Sequence, residues 1–160
     1  MSTYEWLLVL HLVGVFLLVA GSGAATVLGI AQTRTSETRV MATLSRLSGI
    51  AEWGLIYPGL VVAIAFGSWL VDEAGYNFGD AWLTAAYILW VAAALAGLLV
   101  LSPATRRLRR RADEFVAEGV ATSEELRAQA AAPLVGILAV LEDLAIIAFL
   151  YLMVAKPGGL

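Results

Sequence analysis

Four stretches of this chain are each long and apolar enough to cross a lipid bilayer as a helix. They cover approximately 6–30, 47–71, 81–101 and 133–154. The hydrocarbon core of a bilayer is about 30 Å thick, and a helix needs about 20 residues to cross it. Backbone polar groups in lipid must bond within the segment, and the alternation expected of barrel strands is missing. The sequence therefore predicts an all-α integral membrane protein, a four-transmembrane-helix bundle that forms a single domain over residues 1–160.

The first apolar stretch raises the question of a cleaved leader. Ser22, Gly23 and Ala24 are small residues of the kind found at a signal-peptide cleavage site. However, the stretch begins with Glu5 instead of basic residues, and its apolar run is longer than that of a signal peptide. We expect a membrane span here.

The distribution of charge predicts the orientation. The connection over 72–80 contains three acidic residues and no basic residue. All arginines lie in the other two connections, at Arg34, Arg39, Arg46, Arg106, Arg107, Arg109, Arg110, Arg111 and Arg127. Because connections rich in Arg and Lys stay in the cytoplasm, we expect a multi-pass protein of the cell inner (plasma) membrane. The N-terminus and the C-terminal residues 156–160 then lie outside, with Trp6, Trp69 and Trp82 in the outer aromatic belt.

Residues 102–132 form a predicted helical cytoplasmic loop between helices 3 and 4. Pro103 suits a first helical turn, and Gly119 suits a helix end. Thr122 and Glu125 have the spacing of a capping box. Leu108 and Ala112 follow a helical spacing, which indicates one apolar face.

The same loop contains a basic cluster, Arg106, Arg107, Arg109, Arg110 and Arg111. Such a cluster anchors the topology and attracts anionic lipids at the cytoplasmic face. The alternative is a nucleic-acid or phosphate site. No interleaved aromatic residues or nucleic-acid-binding motif accompany the arginines, so we expect the lipid bilayer as partner and no nucleic acid.

Two adjacent acids, Glu142 and Asp143, lie near the middle of the fourth span. Charged side chains at this depth are costly, usually face the bundle interior and mark function. Two neighbouring carboxylates at low dielectric do not both ionise readily, which suits proton carriage or cation binding. The alternative is a pair of protonated carboxyls bonded to helix backbones or hydroxyls. Glu52 lies near the cytoplasmic end of the second span and is a candidate for an ion or proton path that Tyr57 would extend. The alternative is that Glu52 reaches the interface or pairs with Arg46 or Arg39.

His11 lies inside the outer end of the first span, at a depth similar to Tyr87 and Tyr151. A neutral imidazole there is a candidate metal or haem ligand, or a proton shuttle. The alternative is a structural histidine bonded to a tyrosine or to a carboxylate such as Glu5. His11 is the single histidine of the chain, so a haem with two axial histidines cannot form within one subunit.

The residue inventory excludes several chemistries. The chain has no cysteine, which rules out disulfides and thiolate sites. A zinc site with several histidine ligands cannot form within one chain. No G-x-S-x-G motif accompanies the lone histidine, and we do not expect an enzyme.

Small residues predict close helix packing. Gly21, Ala25 and Gly29 share one face of the first helix, which favours a tight bundle and a possible homo-oligomer. Pro58 and Gly59 predict a kink in the second span.

Two short motifs resemble a known family. They are Leu10-His11-Leu12-Val13-Gly14 in the first span and Leu152-Met153-Val154-Ala155-Lys156-Pro157 at the end of the fourth. With Trp53, Pro58 and Gly59 in the second span, they resemble predicted bacterial membrane proteins grouped as domain of unknown function 2269. The resemblance covers the whole chain in layout and implies a four-helix membrane protein of no established activity.

The Leu-His-x-x-Gly start is also similar to copper-resistance D type proteins and to the membrane protoporphyrinogen oxidase family. In those families a first-helix histidine is associated with metal or haem, and the matching position here is His11. The chain departs from that pattern because it lacks further histidines.

Three hypotheses follow. The first is a small proton, cation or solute transport protein that uses the intramembrane carboxylates. The second is an accessory membrane subunit without chemistry of its own. The third is a redox protein that binds haem or a metal through His11.

Overall fold

A computed structural model of the chain describes residues 2–157. The described residues form seven helices: α1 Thr3–Thr33, α2 Thr38–Ala51, α3 Tyr57–Glu73, α4 Ala81–Ala96, α5 Ser102–Ala117, α6 Glu124–Ala130 and α7 Pro133–Ala155. Two π-helical turns, Glu52–Ile56 and Gly97–Leu101, join α2 to α3 and α4 to α5. Between residues 2 and 157, extended pairing is confined to one bridge, from Glu37 to Thr122. Residues 158–160, which we expect on the outer side, are not among the described residues.

Four helical stretches of the described chain are long and apolar enough to cross a membrane: Thr3–Thr33, Thr38–Glu73, Ala81–Ala117 and Glu124–Ala155. The predicted all-α, four-transmembrane fold is therefore confirmed. The second and third stretches continue well beyond the apolar runs, to Thr38 and Ala117. The helix Ser102–Ala117 thus continues directly from the third apolar run.

Many large apolar side chains of the spans point away from the bundle. Phe16 is 71% exposed and Leu99 is 68% exposed. In water such a surface would be strongly unfavourable, whereas in a bilayer it meets lipid tails. The structure thus has the outer surface of a membrane protein.

Glycines allow the tightest helix contact, between α1 and α3. A Cβ on Gly14 would lie 2.4 Å from the backbone nitrogen of Ala63, and one on Gly59 would lie 2.6 Å from that of Leu18. Real Cβ atoms do not approach so closely, so the two backbones require glycine here. A Cβ on Gly21 would lie 2.8 Å from side-chain atoms of Leu55 and Ile56, so Gly21 faces the second span. A Cβ on Gly29 would have no contact within 4 Å outside its own helix backbone among the described residues.

Helices α2, α5 and α6 pack together at one end of the bundle, which we call the basic end. Their buried cluster contains Met41, Ala42, Leu108, Ala112 and Leu126. The apolar face predicted for 102–117 is thereby confirmed. Packing of this face explains why the two long helices continue past the apolar runs.

The turns at the basic end partly match the expectation. Gly119 follows α5 with φ +75, a left-handed conformation that suits glycine and confirms the predicted helix end. The predicted cap at Thr122 was wrong by one residue. Ser123 is the N-cap of α6, and its hydroxyl accepts from the backbone N–H of Leu126. Thr122 instead forms the bridge with Glu37.

The other end of the bundle, which we call the opposite end, has a smaller buried cluster of Val71, Trp82 and Leu83. Trp82 is 3% exposed, so its predicted place in an interfacial belt was wrong. Its ring packs edge-on against the Tyr76 ring inside the bundle. Trp6 and Trp69 are each 55% exposed and do face outward.

Both π-helical turns precede a proline. Pro58 and Pro103 each occupy the first turn of the helix that follows, α3 and α5. Proline has no N–H and its ring collides with the carbonyl four residues earlier in an ideal helix, so a wider turn relieves the collision. At Pro58, where a kink was predicted, the structure has a π-helical turn within a continuous helix.

Candidate functional site

The fourth span places Asp143 against the first. The Ser22 hydroxyl donates to Oδ1 of Asp143 at 2.9 Å, and the Thr26 hydroxyl donates to Oδ2 at 2.9 Å. Ser22 and Thr26 are four residues apart and therefore lie on one face of α1. Both oxygens of this carboxyl thus bond to hydroxyls inside the bundle.

Glu142 faces a different neighbour, because adjacent residues of a helix point about 100° apart. Its Oε1 lies where a Cβ on Gly97 would be 3.4 Å away. This oxygen is buried and has no hydrogen-bond partner among residues 2–157. Gly97 begins the second π-helical turn. Because glycine has no side chain, the Glu142 carboxyl has room beside it.

Glu52 begins the first π-helical turn and lies close enough to Glu142 for electrostatic interaction. Its Oε1 accepts from the Tyr57 hydroxyl at 2.9 Å. The buried hydroxyl of Ser102 lies beside that of Tyr57, without a well-formed hydrogen bond. The alternative pairing of Glu52 with Arg46 was wrong, because Arg46 bonds to Asp113 at 2.7 Å.

A cavity of about 360 Å³ occupies the half of the bundle toward the opposite end. It lies between the α1–α3 pair and the α4–α7 pair. Its walls are mainly apolar, and its deepest residues include Leu18 and Ile146. These lie one helical turn from Ser22 and Asp143, or about 5 Å along the axis. The carboxyl pair therefore lies just beneath the cavity floor.

His11 and Tyr87 both line this cavity. Nδ1 of His11 lies 2.8 Å from the carbonyl oxygen of Ala63. A carbonyl only accepts, so Nδ1 donates in this hydrogen bond and Nε2 is the other ring nitrogen. A Cβ on Gly67 would lie 2.8 Å from Nδ1, so glycine makes room for the imidazole. The expected partner, a tyrosine or a carboxylate, was therefore wrong.

The two tyrosines predicted at the depth of His11 have different environments. The Tyr87 hydroxyl lies 2.8 Å from that of Ser68 across the α3–α4 contact. Tyr151 is 62% exposed on the outer surface of α7 and does not line the cavity. The structure thus brings His11 and Tyr87 together and leaves Tyr151 apart.

The basic cluster lies on α5 at the basic end. Arg110 and Arg111 pair with Glu114, and Arg111 also contacts Glu125. The hydrogen bonds that Arg111 donates to Glu114 and Glu125 raise the pKa of Arg111 above its ordinary value. The Arg106 guanidinium lies 5.3 Å from the centre of the Trp53 ring.

The other two arginines of the cluster, Arg107 and Arg109, are exposed. Neither forms an ion pair within residues 2–157. A shallow groove beside the cluster is lined by Trp53, Arg106, Arg109, Arg110, Asp113, Glu114 and Ala117.

Sequence reasoning missed several polar residues of the site: Ser22, Thr26, Ser68, Trp90, Ser102 and Lys156. The i, i+4 spacing of Ser22 and Thr26 in an apolar helix could have indicated a shared polar face. The positions of Ser102 and Lys156 depend on tertiary packing, and no local pattern predicts them. Within residues 2–157, no three His, Asp or Glu side chains lie close enough to hold a metal ion.

Four apolar spans with carboxyl groups inside the bundle define a multi-pass integral membrane protein. A family model described as "Predicted integral membrane protein (DUF2269)" matches residues 5–157. The chain therefore belongs to this family, as the sequence motifs had indicated. Neither the curated proteins nor the solved structures gave a significant match.

Proposed function

We propose that this protein moves protons across the bilayer through Glu142 and Asp143. The observation that supports the proposal is Oε1 of Glu142, which is buried and has no hydrogen-bond partner among the described residues. A charged side chain at the bilayer centre costs at least about 2.5–3.5 kcal/mol. Binding a proton removes that charge, so a buried carboxyl without an ion pair is suited to accepting and releasing protons.

Asp143 supplies the second group of the proposed path. Its hydrogen bonds from Ser22 and Thr26 fix its position and offer hydroxyl protons at 2.9 Å. A proton on either carboxyl of the pair removes one of two like charges, which favours one shared proton over none. The pair thus acts as one proton-binding unit in this proposal.

The path toward the basic end continues through Glu52 and Tyr57. Tyr57 donates a 2.9 Å hydrogen bond to Glu52, and the Ser102 hydroxyl lies beside Tyr57. These three side chains form a row of polar groups between the helices. π-helical turns often occur at functional sites in membrane and soluble proteins. Here one such turn contains Glu52, and the other begins at Gly97 beside Glu142.

The path toward the opposite end passes through the cavity. Its floor lies about one helical turn from Asp143, and the Ser68–Tyr87 pair and His11 supply polar groups along its wall. Water bound at these polar groups would connect the carboxyl pair with the membrane surface. Together, the two halves account for a route across the bundle.

Proton uptake by proteoliposomes tests this proposal. A potassium diffusion potential drives protons inward, and an internal pH dye reports them. Wild-type protein should acidify the interior faster than empty liposomes, and Glu142→Gln/Asp143→Asn should reduce the rate to that of empty liposomes. Glu118→Gln/Asp72→Asn changes one exposed residue of each type and should retain the wild-type rate. Equal rates for wild type and the Glu142/Asp143 double variant would reject the proposal.

We infer that the basic end faces the cytoplasm of the inner membrane, with arginines near anionic lipid headgroups. The groove that contains Trp53 and Arg106 supports this inference, because aromatic and basic side chains favour the membrane interface. Vesicles with increasing phosphatidylglycerol should protect Arg109 and Arg110 from an arginine-modifying reagent. Equal protection in vesicles of neutral lipid would contradict the inference.

A second candidate function is metal or haem binding by His11. The observation in its favour is the hydrogen bond from Nδ1 to Ala63, which orients Nε2 as metal-ligating histidines are usually oriented. Purified protein should then show a Soret band or bound metal that His11→Ala removes. Purified wild type without either would eliminate this candidate.

A further inference from the structure

We propose that the cavity binds a single-chain anionic amphiphile, such as a fatty-acid carboxylate, with its head at Lys156 and its tail toward Ile146. Both residues line the cavity, Lys156 at its outer edge and Ile146 near its floor. The proposal does not depend on proton movement by Glu142 and Asp143.

The polarity of the wall changes with depth. At the outer edge, Lys156 donates a hydrogen bond to the Tyr76 hydroxyl, and its amine lies 4.3 Å from the Tyr76 ring centre and 5.8 Å from that of Trp82. The imidazole of His11 and the hydroxyl pair of Ser68 and Tyr87 lie at middle depth. Toward the floor the wall consists of apolar side chains and the indole of Trp90. An amphiphile with a polar head at the outer edge and an apolar tail toward the floor matches this change in polarity.

The polar atoms at the outer edge favour an acceptor. Trp82 is 3% exposed and lines the cavity, and its indole N–H has no hydrogen-bond partner among residues 2–157. Indole is a donor only, and an ammonium group also only donates. The Lys156 ammonium at the outer edge therefore favours a ligand that supplies an acceptor.

Charge narrows the ligand class further. Among residues 2–157, those that line the cavity include Lys156 and no aspartate or glutamate. A carboxylate at the outer edge would bond to the Lys156 ammonium, and charge-assisted bonds of this kind are the stronger ones. Small-molecule cavities commonly have volumes of about 300–1,000 Å³. A volume of about 360 Å³ lies at the lower end of that range, which favours one chain over a two-chain phospholipid.

Binding of radiolabelled dodecanoate to the protein in lipid nanodiscs tests the proposal, with empty nanodiscs subtracted. We expect saturable binding that unlabelled dodecanoate displaces and that dodecylamine does not. Lys156→Gln should weaken dodecanoate binding about tenfold or more, because a charge-assisted bond is lost. Arg127→Gln removes an exposed basic residue at the basic end and should leave the affinity unchanged.

A second pair of variants separates the cavity from the lipid-facing surface. Val15 lines the cavity, and Phe16 beside it is 71% exposed to lipid. Val15→Trp should abolish dodecanoate binding by filling the space, whereas Phe16→Trp should preserve it. Glu142→Gln/Asp143→Asn should also retain binding, so failure of proton movement and failure of this proposal are distinguishable.

Three results would overturn the proposal. They are displacement by dodecylamine as effective as by dodecanoate, displacement by phosphatidylglycerol at lower concentration than by dodecanoate, and unchanged binding in both Lys156→Gln and Val15→Trp.

Discussion

Ser22 on α1 and Asp143 on α7 lie 121 residues apart in the chain, and their side chains form a hydrogen bond of 2.9 Å. The bond joins the α1–α3 pair to the α4–α7 pair at the level of the carboxyl site. Thr26 adds a second bond to the same carboxyl. A polar contact thus connects two halves of a bundle whose other contacts are largely apolar.

A double-mutant cycle tests the contribution of this contact to stability. Ser22→Ala and Asp143→Ala should show a coupling energy of about 0.6–1.7 kcal/mol, the range of hydrogen bonds between membrane helices. The free energy of unfolding is measured by titration with a denaturing detergent. Thr84 is exposed on α4, so Thr84→Ala combined with Asp143→Ala should show almost no coupling. A coupling near zero for Ser22 and Asp143 would show that the bond contributes nothing to stability.

The glycines between α1 and α3 permit a second prediction. In Gly59→Ala the new methyl would lie 2.6 Å from the backbone nitrogen of Leu18 and 2.8 Å from the carbonyl oxygen of Gly14. Separation of the helices should lower the free energy of unfolding by about 1–3 kcal/mol. A Cβ on Gly23 would have no contact within 4 Å outside its own helix backbone among the described residues. Gly23→Ala should therefore raise the free energy of unfolding by about 0.5–1 kcal/mol. The melting temperatures in detergent should therefore shift in opposite directions, and a shift in the same direction would contradict the packing.

The sequence predicted the four spans because lipid imposes a simple requirement of length and apolarity. It also predicted that α5 has an apolar face and ends near Gly119, since both depend on local spacing and on a positive φ. It did not predict that α2 and α5 continue out of the apolar runs. That extension depends on a buried cluster that brings together residues far apart in the chain, such as Met41 and Leu126.

The predicted site depended on tertiary contacts to a greater extent. Glu142 and Asp143 were identifiable from their depth, but their neighbours Gly97 and Ser22 belong to other helices. The partner of His11 is a backbone carbonyl, which has no residue-type signature in a sequence. The burial of Trp82 arises in the same way, because an aromatic residue at a span end is compatible with both the belt and the core.

The buried cluster at the basic end leads to a third prediction. Leu126 is 0% exposed between α2 and α5, so Leu126→Ala should cost about 2–5 kcal/mol of stability by opening a cavity. Trypsin should then cleave at the arginines of α5 faster than in wild type. Leu134 is 61% exposed to lipid, and Leu134→Ala should leave the cleavage rate unchanged. The same rate for Leu126→Ala and wild type would mean that this cluster does not stabilise α5 and α6.

The orientation inferred from the arginines gives a fourth prediction. The chain has no cysteine, so single-cysteine variants need no background replacement. Glu73→Cys, near the opposite end, should react with a membrane-impermeant maleimide in intact cells, since positive-rich connections stay inside. Glu118→Cys, at the basic end, should react only after the membrane is permeabilised. The reverse pattern would invert the topology.

The most direct test of the proposed path is the water accessibility of position 142. A cysteine reacts with a small water-soluble thiol reagent only where water reaches it, so the labelling rate of Glu142→Cys reports the environment of the buried carboxyl. We expect Glu142→Cys to react in proteoliposomes and Ile147→Cys, whose native side chain is 63% exposed to lipid, not to react. If Glu142→Cys is as unreactive as Ile147→Cys, no aqueous path reaches the site, and proton movement through Glu142 is contradicted.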